Sequence, residues 1–317
     1  MDFYVGKKVL ITGGAGFIGS HIVDALLHYD VGTVRILDNF STGSLPNLTK
    51  ALESNRVELV EGDIRDAETC QQCSTDIDVV FHNAAEISVT KSMLSPETTN
   101  ATNISGTLNM LNAAAKCGVK RFVYASSAAV YGIPTNLPCH ESSERNYTSP
   151  YGLSKGINED MATLWASNNE LGNGMTCIGL RYFNVYGPRQ DPKSPYSGVV
   201  SIFMDRIRTR QPIQFFGDGL QTRDFVYVAD VVQANVLAGA YVFPQDTTSR
   251  IYNVGSGVSV SLYELKQVIE ERVGISVCEE YLPVRPGDIR NSVANIQRIS
   301  EELGYRPRYT LGSSFMI

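Results

Sequence analysis

Through the first half of the chain, short β-rich runs alternate with stretches whose apolar residues recur at helical spacing. Lys8–Thr12, Thr33–Asp38, Arg56–Glu61, Ile77–His82, Arg121–Ser126 and Thr176–Arg181 read as strands. Between them, Ile18, Ile22, Ala25 and Leu26 fall on one helical face, Ser105–Lys116 forms a second helical stretch, and a helix runs from Ser149 to about Glu170. Strands alternating with helices predict right-handed crossovers and a parallel sheet covered on both faces, a doubly wound α/β fold of the Rossmann type.

After Tyr186 the alternation stops. GPRQDPKSPYSG is a Pro- and Gly-rich loop, and beyond it helices (Val199–Arg210, Ser261–Val273) mix with short strands (Ile213–Phe216, Asp224–Val228, Ile251–Val254). The pattern predicts a smaller mixed α/β domain intertwined with the first. The expected division is 1–184 plus about 225–258 for the sheet domain and 185–224 plus 259–317 for the smaller one, with a ligand cleft between them.

The chain of 317 residues is 43% hydrophobic and 19% charged, enough for a large core. The net charge is -6 and the 27 Lys and Arg residues are scattered, so no basic stripe is available for a nucleic-acid backbone. MDFYVGKKVLITGG lacks a long apolar leader segment, and no run of membrane-spanning length occurs; a cytoplasmic protein without membrane contact is expected. The six cysteines are dispersed and the single Cys70-x-x-Cys73 has no second pair, so reduced thiols and no metal are expected. His21, His28, His140 and Trp165 read as packing or surface residues.

VLITGGAGFIGSH places Gly13, Gly16 and Gly19 between a strand and a helix, with Phe17 and Ile18 opening the helix. Such a turn brings a pyrophosphate to the helix N-terminus, where N–H groups and the dipole favour negative charge. Asp38 ends the next strand, 19 residues after Gly19, where its carboxylate can accept both ribose hydroxyls and would repel a 2′-phosphate. NAD is therefore the expected cofactor. SPYGLSKG adds a second signal: with Pro150 opening a helix, Tyr151 and Lys155 stand one turn apart on one face.

The GxxGxxG spacing together with YASSAAVYG, PYGLSK, GDI, HNAA and NISGT resembles the extended branch of the short-chain dehydrogenase/reductase superfamily, which acts on nucleotide-linked sugars. The resemblance spans nearly the whole chain. It implies Ser127, Tyr151 and Lys155 as the catalytic group. It implies that Asn39, Ser41, Thr42 and Gly43 surround the adenosine, that Asp63 and Ile64 bracket adenine, that Ala84 and Ala85 line the pyrophosphate and nicotinamide ribose, and that Asn103 supports the cofactor.

In the second half, LRYFNVYGPR, FFGDGLQTRDFVYV and RPGDIRNS are similar to segments of the sugar-nucleotide epimerases. By that likeness Tyr182 faces the nicotinamide, Asn184, Arg223 and Arg285 grip the diphosphate, Asp288 holds the ribose and Phe216 lies near uracil. Ser88 and Val199 join the same substrate pocket. Ser292 stands where 4-epimerases that reject N-acetylated sugars carry tyrosine, so UDP-GlcNAc and UDP-GalNAc are expected beside UDP-Glc and UDP-Gal.

The implied reaction is C4 epimerisation through a transient 4-keto sugar, with Tyr151 as the base. Ionising a phenol at neutral pH requires roughly 4 kcal/mol of preferential stabilisation, expected from Lys155 and the positively charged nicotinamide. Ala128 and Ala129 replace the Asp-Glu pair that follows the catalytic hydroxyl in the dehydratases. A UDP-glucuronate epimerase or decarboxylase, with Thr90, Lys91 and Ser92 facing the C6 carboxylate, remains the alternative, and a non-catalytic NAD-binding protein a more distant one. A homodimer is implied by the family alone. Two departures from it are Asn291, where close relatives often carry histidine, and the ending LGSSFMI, where the family usually continues into an amphipathic helix.

Overall fold

The structure is a computed structural model that describes residues 2–191, 198–244, 247–284 and 288–314. Seven parallel strands form the central sheet: β1 (Lys8–Thr12), β2 (Thr33–Asp38), β3 (Val57–Glu61), β4 (Val79–His82), β5 (Arg121–Ser127), β6 (Thr176–Tyr182) and β7 (Ser249–Val254). Their order across the sheet is β7-β6-β5-β4-β1-β2-β3. Strand order reverses direction between β1 and β4, which lie side by side with Thr12 opposite His82. In a doubly wound sheet, ligands bind in the crevice at the carboxyl ends of such a pair.

The strands are hydrophobic without alternation because both sheet faces are covered; in β1 all residues after Lys8 are buried. One face packs against α1 (Phe17–Leu27) and α5 (Val228–Ala240), around Ile22, Val23, Leu26, Val231 and Ala234. The other carries α2 (Ala67–Ser74), α3 (Gly106–Lys116) and α4 (Pro150–Ser167), around Leu111, Ala114, Ala162 and Phe122.

The long helix starts where the sequence places it, with the Ser149 hydroxyl accepting from the Gly152 N–H at 3.1 Å and Pro150 in the first turn. It ends earlier than expected. Asn168 leaves the helical conformation and its side-chain oxygen accepts from Glu170 and Leu171, capping a separate short helix, Asn169–Gly172.

The remaining residues form a smaller layer beyond the carboxyl ends of the strands. Ile213–Phe216 pairs in parallel with Glu279–Leu282, a strand not expected from the sequence because its exposed Glu280 and Tyr281 blur the apolar pattern. Helices Val199–Arg208 and Leu262–Val273 contribute Phe203, Ile207, Leu265 and Ile269 to the core with Ile213 and Phe215. The expected strand Asp224–Val228 is only Phe225–Tyr227, paired in parallel with Asn184–Tyr186, because Asp224 is diverted. Its buried carboxylate accepts from the Ser256 N–H and hydroxyl at 2.7 Å, from Gly257 N at 3.0 Å and from Ala294 N at 3.1 Å. That hub ties the layer to the sheet.

Candidate active site

At the switch point, Gly13 has φ of +69°, and a Cβ there would lie 2.8 Å from the Ala84 nitrogen. Backbone conformation and space therefore both require glycine. A Cβ on Gly19 would fall 2.2 Å from the Gly13 carbonyl, so that glycine lets α1 close onto the loop. Gly16 caps α1 without a side chain, leaving its first-turn N–H groups for an anionic ligand.

The opposite wall is fixed from behind. Thr12 Oγ1 accepts from Ala84 N at 3.2 Å and bonds His82 Nδ1 at 2.7 Å, while His82 Nε2 meets Thr107 Oγ1 at 3.0 Å. Burial, reinforced by the charge on Lys155, lowers the His82 imidazole to about 3, so the ring is a neutral strut.

Asp38 Oδ2 accepts from Ala15 N and Oδ1 from Phe40 N, both at 2.8 Å. Burial raises this carboxyl and the two backbone bonds lower it in part. Each oxygen keeps acceptor capacity toward the cleft. A Cβ on Gly43 would lie 2.8 Å from Asp38 Oδ1, so this glycine lets the following loop close over the acid. Asn39, Ser41, Thr42 and Ile64 line the same cleft. Asp63 does not: Arg65 and Asn39 occupy its oxygens, and the Arg65 hydrogen bond holds it far below the usual carboxylate range. Of the pair expected at adenine, only Ile64 faces the cleft.

Ser127 at the end of β5 and Tyr151 and Lys155 on α4 line the cleft with Gly13, Ala84, Ala85 and Tyr182. Lys155 is 4% exposed, and its Nζ donates to the Ala125 carbonyl at 2.8 Å and lies 5.9 Å from the centre of the Tyr151 ring. Burial lowers the ammonium to about 8, and Glu159 opposes that effect. The Tyr151 phenol is pushed up by burial, and its hydrogen bond with Ser127 offsets this only in part. Without cofactor the phenol therefore stays above its ordinary value and is protonated at neutral pH. Tyr182 donates to Asn235 Oδ1 at 3.0 Å.

Asn103 is buried behind the cleft instead of lining it. Its side chain accepts from Glu86 N at 2.7 Å and donates to Glu86 O at 2.9 Å and to Ser154 Oγ at 3.0 Å. It sits in a π-helical turn, Asn100–Ser105, that joins onto α3. Asn103 thus ties the segment after β4 to the helix that carries Tyr151.

The residues expected at the sugar nucleotide lie apart from the glycine loop. Arg223 Nη2 donates to Asp288 Oδ1 at 2.7 Å, and burial lowers the guanidinium while Asp288 opposes it. Ser292 N donates to the Thr222 carbonyl at 3.2 Å, and Thr222 Oγ1 donates to Asn291 Oδ1 at 3.1 Å. Phe216 ends its strand, Val199 opens its helix, and Asn184 is exposed at the strand paired with Phe225–Tyr227. Ser88 is buried and caps Val89–Leu94 by accepting from Lys91 N at 2.9 Å. Arg285 lies outside the described residues.

Sequence reasoning missed a buried polar group beside this site. Arg181 and Glu159, 3% and 1% exposed, make two hydrogen bonds of 2.7 Å each, and Ser126 Oγ donates to Glu159 at 2.6 Å. Arg181 also donates to the Tyr131 hydroxyl at 2.8 Å, and Tyr131 to Asn253 at 2.6 Å. Periodicity hides it: Ser154, Lys155, Asn158 and Glu159 occupy the buried face of α4, where a packing helix would place apolar residues.

A glycine cradle with no room for Cβ, an uncapped helix end and a buried carboxylate with spare acceptors fit a dinucleotide, and the hydroxyl, phenol and amine beside them define an NAD-dependent Rossmann-type enzyme. Residues 9–255 match the NAD dependent epimerase/dehydratase family, and the chain belongs to it. NAD is its cofactor. A putative UDP-glucose 4-epimerase of Methanocaldococcus jannaschii is 40% identical over 305 residues, covering 96% of this chain and 94% of that protein. The structure is similar to UDP-N-acetylglucosamine 4-epimerase from Methanobrevibacter ruminantium in complex with UDP-N-acetylmuramic acid, with a TM-score of 0.89 and 35% identity over 98% of this chain and 97% of that one. It is also similar to UDP-glucose 4-epimerase from Thermotoga maritima with UDP-glucose, with a TM-score of 0.88 and 36% identity over 97% and 96%.

Proposed function

We propose that this chain is a UDP-sugar 4-epimerase acting on UDP-GlcNAc and UDP-GalNAc, and on UDP-Glc and UDP-Gal, through a 4-keto sugar. The observation that carries the reading is the convergence of Ser127, Tyr151 and Lys155 on the cleft that the glycine loop opens. Bound NAD supplies the hydride acceptor and donor at C4. Tyr151 takes the proton of the C4 hydroxyl and later returns it, Ser127 hydrogen-bonds that oxygen, and Lys155 holds positive charge beside the phenol. Arg223 and Arg285 grip the diphosphate by charge-assisted bonds, Asp288 takes the ribose, and Ser292 leaves room for an acetamido group. In this reading Arg223 and Asp288 exchange their mutual bond for bonds to the ligand.

Ala128 and Ala129, without carboxylates, speak against a dehydratase. Against the UDP-glucuronate reading, Lys91 is paired with the Glu86 carboxylate. A cytoplasmic homodimer completes the proposal, formed through the exposed Val89, Met93, Leu94 and Leu153 on the adjoining helices Val89–Leu94 and α4. Light scattering of the purified protein tests that part. Proton NMR of UDP-GlcNAc, UDP-Glc and UDP-GlcA incubated with enzyme and no added cofactor tests the reaction. Inversion at C4 of the first two supports it; release of NADH or carbon dioxide overturns it.

A further inference from the structure

Three consecutive residues of β5 serve three groups of α4 and its surroundings. The Ala125 carbonyl accepts from Lys155, the Ser126 hydroxyl donates to Glu159 at 2.6 Å, and Ser127 carries the hydrogen bond with Tyr151. Glu159 stands one turn after Lys155 on the same buried helix face. Arg181 donates through Nε to the Glu159 oxygen that accepts from Ser126 and through Nη2 to the other, and its guanidinium is in turn anchored to Tyr131 and to the Glu141 carbonyl at 3.1 Å. A charge so buried is retained only when paired and hydrogen-bonded.

We propose that Glu159, clamped by Arg181 and Ser126, is a positioning residue that keeps the Lys155 ammonium charged and sets the end of β5 that presents Ser127. The inference rests on the reading of Lys155 as the charge beside Tyr151. Lys155 otherwise occupies a site that opposes its charge: it is buried, and among the described residues its direct hydrogen bond is to a neutral carbonyl. His82 and Tyr151 face it as uncharged groups. The remaining charged or titratable groups facing Glu159 are Arg145 at 3.7 Å, Tyr124 and Tyr147. Arg181 is the cation hydrogen-bonded to Glu159. Burial opposes charge on Arg181, and the bonds from Glu159 more than offset that cost. Without Glu159 two buried cations, Lys155 of α4 and Arg181 of β6, would be left without the carboxylate on this helix face.

The test is a titration of Lys155 itself, followed by 13Cε-lysine NMR of the NAD-loaded enzyme, with Lys155→Arg used to assign the signal. Glu159→Gln is expected to lower the Lys155 midpoint by about one pH unit or more, the scale on which one nearby opposite charge acts. Glu159→Asp keeps the charge and is expected to stay near the parent. Should Glu159→Gln not fold, the paired variant Glu159→Gln with Arg181→Met, which leaves no unpaired guanidinium, is read instead; the midpoint is expected to fall by less, because a cation is removed with the anion. A midpoint unchanged in a folded variant overturns the proposal. Turnover against pH separates this from the underlying reading: its alkaline limb should follow the NMR midpoint. If the midpoint moves and the limb does not, the fault lies in the role given to Lys155 in the reaction.

Discussion

The two sides of the cleft are built on different principles. On the cofactor side, contacts are backbone N–H groups, glycines and polar side chains already held in place by the protein, such as Asp38 by Ala15 and Phe40, or His82 by Thr12 and Thr107. On the substrate side, two of the polar groups proposed to bind, Arg223 and Asp288, are paired with one another. The first kind of site is preformed and costs little to fill. The second must exchange partners when ligand arrives, which suits a group that enters, turns over and leaves while NAD stays.

Mutations should separate the two sides. The largest effect belongs to the reacting group: Tyr151→Phe should lower kcat by on the order of 10²–10⁴-fold while leaving NAD content, read from the absorbance of the purified protein, unchanged. Next comes the preformed wall. Gly13→Ala forces a Cβ against Ala84 and a left-handed residue, so the protein should purify largely free of NAD, with thermal stability lowered by roughly 1–2 kcal/mol from the backbone alone. On the substrate side, Arg223→Ala should weaken UDP binding in calorimetry by about 1.5–3 kcal/mol, the range for a hydrogen bond to a charged group, with bound NAD unaffected. Equal loss of NAD in that variant would break the contrast between the two sides.

A pH prediction sharpens the same contrast. His82 titrates at about 3 in the folded protein and near 6.5 unfolded, so between these values the unfolded chain binds the extra proton. This contribution lowers stability as pH falls from about 6.5 toward 3 and is absent above that window. Denaturant unfolding across this range should show a shallower acid loss in His82→Gln than in the parent. The smallest expected effect is Ser292→Tyr, which should reduce turnover of UDP-GlcNAc relative to UDP-Glc several-fold without altering stability by more than about 0.5 kcal/mol; equal turnover ratios would remove Ser292 from the specificity account.

Legibility in the sequence follows the same divide. The sheet could be read because parallel strands covered on both faces are continuous apolar runs, and the glycine loop because its residue types answer to backbone geometry. Glu279–Leu282 was not read, since a strand at the edge of the small layer carries Glu280 and Tyr281 outward. Asn103 was legible as a residue of interest but not as a tie between Glu86 and Ser154, because those partners are distant in sequence. Glu159 and Arg181 were invisible for a sharper reason: charge on a helix suggests a solvated face, and only the packing of α4 turns that face inward.

The central claim is that the Tyr151 phenol moves the C4 proton in an enzyme that retains its own NAD. Proton NMR of UDP-GlcNAc with parent and Tyr151→Phe protein, at matched bound NAD and without added cofactor, addresses it directly. The account predicts signals of the galacto isomer growing to equilibrium with the parent and slower by at least about a hundredfold with the variant. Equal rates for the two proteins, or no inversion by the parent, would contradict it.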